Sequence, residues 1–305
     1  MKIGIIGLNS LTDETQFINI KSILDKNLHG LFSPNIDNLL PISEKYKVKL
    51  FSSSETFFSS IEAVYCAQSN NSNFEFLIKA IKSSCHLFIE DISIFPIDEI
   101  KQLYKLAFEA SVKIHIKQTK LFNSELQKLS NYINKCKLVE INTSFTSLLR
   151  KQDYFTKLFN NFCLADKLNN SSAKKINIQS LPIDCNHFSL IQVRLDYDNG
   201  SNAIIKLNNL ASVCKDTILA YQKNSNIEID FKKHLCIKHY FENGQIIRKE
   251  IEITKTESEK TEFKYFMELC SDSLDKNILE LPVILNTIQN TFHVINQLNQ
   301  IAVNI

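Results

Sequence analysis

The hydrophobic pattern changes character once along the chain, near residue 120. Before that point, short apolar runs alternate with amphipathic segments. Residues 3–8 form an apolar run of strand length, and 29–32, 48–51, 63–67, 86–89 and 112–116 repeat it. Between these runs, residues 16–24, 43–46, 57–61, 74–81 and 96–110 show helical spacing. Phe74, Leu77, Ile78 and Ile81 fall three, one and three residues apart, as one helix face requires. Pro96 opens the last of these helices, where a missing N–H costs nothing. Asp98 and Glu99 in its first turn complement the helix dipole. Alternation at this spacing predicts a parallel sheet covered on both faces. Its ligand crevice lies at the carboxyl edge, where strand order reverses.

Beyond residue 120 the pattern becomes strand-rich. Helical segments at 125–134 and 154–168 come with strand-like runs at 137–144, 175–178, 189–197, 203–207, 217–221, 227–231, 235–241 and 246–253. Asp198-Asn199-Gly200 and Glu242-Asn243-Gly244 read as hairpin turns, because Asn-Gly supplies the positive φ angles that such turns need. Helices at 262–270 and 283–301 close the chain. The predicted class is therefore α/β. A parallel-sheet domain over residues 1–120 precedes an α+β domain over 121–305 with a large, mostly antiparallel sheet. The last helix is free to pack back on the first domain. The sheet face without helices is the expected surface for a homo-oligomer.

Composition narrows the partners. The 305 residues carry a formal net charge of +2, and 32 of the 35 basic residues are lysine. Arg150, Arg194 and Arg248 are the only arginines, so bidentate clamps on phosphate are scarce. Near-zero net charge, with no basic stripe interleaved with aromatics, argues against nucleic acid. No apolar run reaches 18 residues and the N-terminus lacks a signal-peptide pattern, so no membrane association and a cytoplasmic location are expected. The eight cysteines contain no CxxC pair and read as reduced, mostly buried thiols. His234, Cys236 and His239 are too few for a zinc site, and no metal is expected. Only five residues are glycine, none between Gly30 and Gly200.

Several landmarks occur in a familiar order. Lys2-Ile3-Gly4-Ile5-Ile6-Gly7-Leu8 looks like a first strand and nucleotide turn. Residues 61–70, Ile-Glu-Ala-Val-Tyr-Cys-Ala-Gln-Ser-Asn, look like a fourth strand and its loop. His86-Leu87-Phe88-Ile89-Glu90 and Leu121-Phe122-Asn123-Ser124 follow, then Phe263, Phe266 and a final helix. In this order the chain resembles the Gfo/Idh/MocA family of NAD(P)-dependent sugar and polyol oxidoreductases over nearly its whole length. The resemblance implies a Rossmann-like first domain, NAD or NADP as cofactor, and a small hydroxyl-bearing substrate. It places the cofactor against Gly7, Asn9, Ser10, Leu11, Ser33, Gln68, Ser69, Asn70 and Glu90.

The functional positions depart from the family pattern. Asn9 and Thr12 stand where the turn carries glycines that let backbone amides approach the pyrophosphate. Ser33 replaces the acid that binds the ribose hydroxyls, with no arginine nearby for a 2′-phosphate. The family's Glu-Lys-Pro becomes Glu90-Asp91-Ile92, and its lysine normally supports proton transfer at the substrate hydroxyl. Asp91 reverses that charge, and Lys120, near the domain junction, is the candidate substitute cation. The segment 150–168 carries neither the glycines nor the histidine of the family's second acid–base pair. The expected function is that of a divergent oxidoreductase, with hydride transfer between NAD(P) and a small hydroxyl substrate. The alternatives are a non-catalytic relative that has lost the cofactor and serves as a binding or assembly partner, and an enzyme reusing the crevice without a dinucleotide.

Overall fold

The computed structural model describes residues 1–8, 14–67, 71–129, 132, 136–271 and 278–303, without side-chain detail for 71, 72, 151, 152 and 303. The chain divides into two compact units, residues 1–117 with 259–277 and residues 118–258 with 278–305.

In the first unit, strands β1 (Ile3–Ile6), β2 (Leu28–Phe32), β3 (Leu50–Phe51), β4 (Ala63–Cys66), β5 (His86–Ile89) and β6 (Ile114–Ile116) form one sheet in the order β3-β2-β1-β4-β5-β6. Every pairing in it is parallel. Helices α1 (Glu14–Leu24), α2 (Leu40–Tyr46), α3 (Ser54–Phe58), α4 (Asn71–Lys82) and α5 (Ile97–Glu109) supply the crossovers. Continuous apolar strands such as Ala63–Cys66 are buried throughout, as a sheet covered on both faces demands. Helix α3 begins earlier than the apolar spacing at 57–61 predicts, because the Ser53 hydroxyl accepts the Thr56 N–H and caps it.

The second unit holds α6 (Ser124–Leu129), β7 (Leu138–Ser144), α7 (Lys151–Asn169) and a run of strands: β8 (Ala173–Pro182), β9 (Phe188–Tyr197), β10 (Asn202–Asn208), β11 (Lys215–Tyr221), β12 (Ser225–Asp230), β13 (Leu235–Glu242) and β14 (Gln245–Glu250). Their sheet order is β14-β13-β12-β11-β7-β10-β9-β8, antiparallel except where β7 meets β10. Alternation is clean in β7: Val139 and Ile141 are fully buried, while Glu140 and Asn142 are half-buried on the other face. The turn at Asn243-Gly244 takes φ values of +50° and +81°, the two-residue hairpin the sequence predicts. At the other hairpin only Gly200, φ +74°, is left-handed; Gly200 N–H bonds the Tyr197 carbonyl and the loop is longer.

The closing helices part company. The contiguous second domain expected from the sequence is interrupted, because α8 (Ser258–Cys270) packs on the parallel sheet from residue 259 onward. Its Phe263 and Phe266 are buried against Phe88, with ring centroids 6.2 and 5.5 Å away. Helix α9 (Leu281–Val303), which the sequence leaves free to pack on either domain, lies along α7 and β8 in the second unit, and Phe292 meets Phe155 at 4.7 Å. Helix α8 carries the rings that meet Phe88 on the parallel sheet, whereas α9 buries Ile288, Val294 and Leu298 with Thr287 and Thr291 and sets Phe292 on Phe155.

Candidate functional site

Strand order in the first sheet reverses at β1, which has β2 on one side and β4 on the other. A crevice outside the carboxyl ends of such strands is where open α/β sheets take ligands. Gly7 follows β1 with φ +86°, a left-handed conformation that suits glycine and turns the chain across the strand end. Beside it a pocket of about 130 Å³ opens between β1, β2 and α4, lined by Gly7, Phe32, Ser33, Asn35, Asn38 and Asn73, with Phe76 at its wall. Ser33 is buried, and its hydroxyl accepts the Asn35 N–H at 3.2 Å. Asn73 lies inside the first turn of α4, which starts at Asn71, and is buried in the pocket.

The donor set fits a nucleoside. Hydroxyl and amide groups can bond ribose hydroxyls and base edges, and Phe32 and Phe76 offer apolar flanks. Of the expected cofactor contacts, Gly7 and Ser33 meet here. Asn9, Ser10, Leu11, Gln68, Ser69 and Asn70 lie outside the described residues, as does Thr12. The N-terminus of α1 carries its own anion. Glu14 in the first turn accepts hydrogen bonds from Lys45 Nζ and the Tyr46 hydroxyl, each at 2.5 Å, which lowers its pKa.

Glu90, at the end of β5, sits on the face that α1 and α8 cover. Its Oε1 accepts from the Tyr65 hydroxyl at 2.6 Å and from Lys117 Nζ at 2.8 Å; its Oε2 accepts from Gln16 Nε2 at 2.8 Å. Gln16 also bonds the Ala67 carbonyl at 3.0 Å, stapling the start of α1 to the end of β4. Lys117 reaches on to Glu259 at 2.9 Å. Burial opposes charge on Lys117, but the two carboxylates outweigh it and raise its pKa. Burial first, and then the Glu90 charge, push the Tyr65 phenol well up, so it stays a donor.

Asp91 turns to local work. Its two oxygens accept the Ser93 N–H at 2.8 Å and the Ser93 hydroxyl at 3.0 Å, bracing the turn between β5 and α5. Lys120 belongs to the second unit. Its ammonium donates to Asp216 at 2.7 Å and to Asn161 at 2.8 Å, while Thr143 donates to Asp216 at 3.3 Å. Burial lowers the Lys120 pKa, and the Asp216 carboxylate opposes that shift. Asp91 and Lys120 thus lie in different units, each with defined partners. Gln16, Tyr65, Lys117 and Glu14 do not stand out as site residues in the sequence. Tyr65 was the readable signal, since a buried tyrosine hydroxyl must find a partner.

Comparison with known proteins follows the same outline. Residues 1–118 match the family described as an oxidoreductase family with an NAD-binding Rossmann fold, GFO_IDH_MocA. Over these residues the chain is similar to that family. Solved structures extend the likeness to both units. UDP-N-acetylglucosamine 3-dehydrogenase GnnA from Acidithiobacillus ferrooxidans is 14% identical with a TM-score of 0.84, over 96% of each chain. The dehydrogenase MviM from Clostridium difficile is 14% identical with a TM-score of 0.78, over 97% of this chain and 99% of its own. A super-repressor mutant of Gal80p from Saccharomyces cerevisiae is 13% identical with a TM-score of 0.76, over 99% and 96%. At these identities the likeness is one of fold. No curated protein matches the sequence. Among the described residues no helix is long and apolar enough to cross a membrane.

Proposed function

We propose that this chain binds a nicotinamide dinucleotide at the carboxyl edge of its parallel sheet and is an oxidoreductase-like protein acting on a small hydroxyl-bearing substrate. One observation carries the reading: left-handed Gly7 at the switch point opens onto a pocket lined by Ser33, Asn35, Asn38 and Asn73. The nucleoside half would lie there. The bound group would supply the hydride acceptor or donor; the chain's own part is to hold the nucleoside and order the strand ends through Gln16, Tyr65, Glu90 and Lys117. Isothermal titration with NAD, NADH, NADP and NADPH tests the reading. A heat of binding with at least one of them is expected, and silence from all four at millimolar concentration sinks it.

A non-catalytic role is the second reading. It is favoured by the partners of the candidate groups, because Asp91 is engaged by Ser93 and Lys120 by Asp216 and Asn161. A fold shared with a protein named as a repressor accords with it. In this reading the second sheet is the working surface, and a second copy of the chain is its partner. The registers put Lys175, Arg194 and Lys206 of β8–β10 on the same face as Glu140, Glu228, Asp230 and Glu250 of β7, β12 and β14. Asp196, Lys215 and Arg248 share that face and temper its polarity without reversing it. A two-fold axis parallel to the strands would lay the cationic half of one copy over the anionic half of the other.

A further inference from the structure

The nucleoside pocket is neutral where it is lined and cation-free in the sequence around it. We propose that it selects an adenosine with a free 2′-hydroxyl and rejects a 2′-phosphate, so that NAD(H) rather than NADP(H) is the dinucleotide it takes. This rests on the dinucleotide reading above and narrows it.

A 2′-phosphate brings about 1.5 to 2 negative charges at neutral pH and needs cations or several charged hydrogen bonds to leave water. The segment after β2 is where such a cation stands in dinucleotide folds that accept the phosphate. Here it reads Ser33-Pro34-Asn35-Ile36-Asp37-Asn38. Ser33 already accepts the Asn35 N–H, which leaves its own proton for a ligand oxygen, and Asn35 and Asn38 at the rim offer amides without charge. The surrounding loops add no help. Residues 3–20, 28–44 and 50–78, which contain all the turns after β1, β2 and β4, hold no lysine or arginine, yet carry Asp13, Glu14, Asp37, Glu44, Glu55, Glu62 and Glu75.

Five lysines directly flank these segments, Lys2, Lys21, Lys45, Lys49 and Lys79, and none of them lines the pocket. Lys45 bonds Glu14 at 2.5 Å. Lys79 lies over the Phe76 ring, 5.5 Å from its centroid. Its backbone stands six residues beyond Asn73, about 9 Å further along α4, and its ammonium rests on a ring of the pocket wall without joining the lining. A ribose 2′-hydroxyl is satisfied by Ser33 and the amides. A phosphate there meets uncharged donors only.

Titration calorimetry of the full chain against adenosine, adenosine 2′-phosphate, NAD and NADP tests this. Adenosine and NAD are expected to bind at least about tenfold more tightly than their 2′-phosphorylated counterparts. Asn35→Arg, at an exposed rim position, is expected to raise the affinity for adenosine 2′-phosphate relative to adenosine about tenfold or more. Equal or tighter binding of the 2′-phosphates to the natural chain overturns the proposal. So does an Asn35→Arg chain that gains nothing for them, or a failure of adenosine to bind at millimolar concentration. The two readings part cleanly: discrimination between the nucleosides without NAD binding removes the dinucleotide and keeps the selectivity, whereas equal NAD and NADP affinities do the reverse.

Discussion

Lys117 Nζ lies 2.8 Å from Glu90 Oε1, in a pair whose side chains are 22% and 14% exposed. The acid at the end of β5 therefore works first inside its own unit. Removing the cation leaves Glu90 with Tyr65 and Gln16 as donors but without a counter-charge. Lys117→Met is expected to cost about 1–2 kcal/mol, less than the 3–5 kcal/mol typical when a fully buried pair is broken, because both groups retain some solvent. Glu90→Gln in the Lys117→Met background should recover part of that loss. Urea unfolding of the three variants measures it, and strict additivity of the two changes would count against a coupled pair.

Ser33 offers a gain rather than a loss. An aspartate there could accept the same Asn35 N–H and present a second oxygen to the ribose hydroxyls. Ser33→Asp is expected to tighten NAD by about tenfold, equivalent to roughly 1.4 kcal/mol. The check is a titration of both proteins under one salt condition; an unchanged or weaker NAD affinity in a folded variant rejects the placement of the ribose.

Asp166 predicts a pH signature. It is buried in the second unit, accepting from the Tyr197 hydroxyl at 2.9 Å and the Thr287 hydroxyl at 2.5 Å. Burial raises its pKa to about 6, against the hydrogen bonds that favour the charged form. The folded chain then holds the proton more tightly than the unfolded one. The contribution is fully present below about pH 4, erodes as pH rises toward 6, and is flat above. The loss is on the order of 2–3 kcal/mol. Asp166→Asn should remove this slope. Unfolding free energies of both proteins from pH 4 to 7 test it, and a difference between them that stays constant with pH contradicts the assignment.

His115 and Glu262 hold α8 to β6. Nε2 and Oε1 are 2.8 Å apart, with the side chains 6% and 0% exposed. Glu262→Ala removes the carboxylate that Nε2 meets and leaves a void beside the ring, and is expected to cost about 3–5 kcal/mol. Glu262→Gln, which keeps a hydrogen bond, should cost clearly less. Thermal unfolding ranks the two; equal costs would mean that packing alone holds the helix.

The charged sheet face predicts paired variants. Lys206→Glu and Glu228→Lys each place like charge opposite like charge in a two-fold stack and should each give monomers. Mixing the two should restore a dimer through opposite charges. Sedimentation velocity decides the matter, and a natural chain that is monomeric at all accessible concentrations removes the proposed interface.

Much of the fold was readable because hydrophobic periodicity is a local property. The runs at 3–8, 63–67 and 86–89 could satisfy their apolar side chains only inside a covered sheet, and the alternation in 137–144 only in a half-covered one. Gly7 was legible for a similar reason, since its conformation is needed within one turn. Tertiary structure alone decided what depends on distant partners. Nothing near Glu90 in sequence announces Gln16, Tyr65 and Lys117, which lie 74, 25 and 27 residues away. Nothing near residue 262 announces His115, 147 residues before it. These groups meet because strand ends and helix starts converge on one edge, where burial obliges each charge to find a partner. The sequence by itself determined the two sheets and the turn at Gly7; the packing of α1 and α8 on them decided which acids and lysines are engaged within the protein.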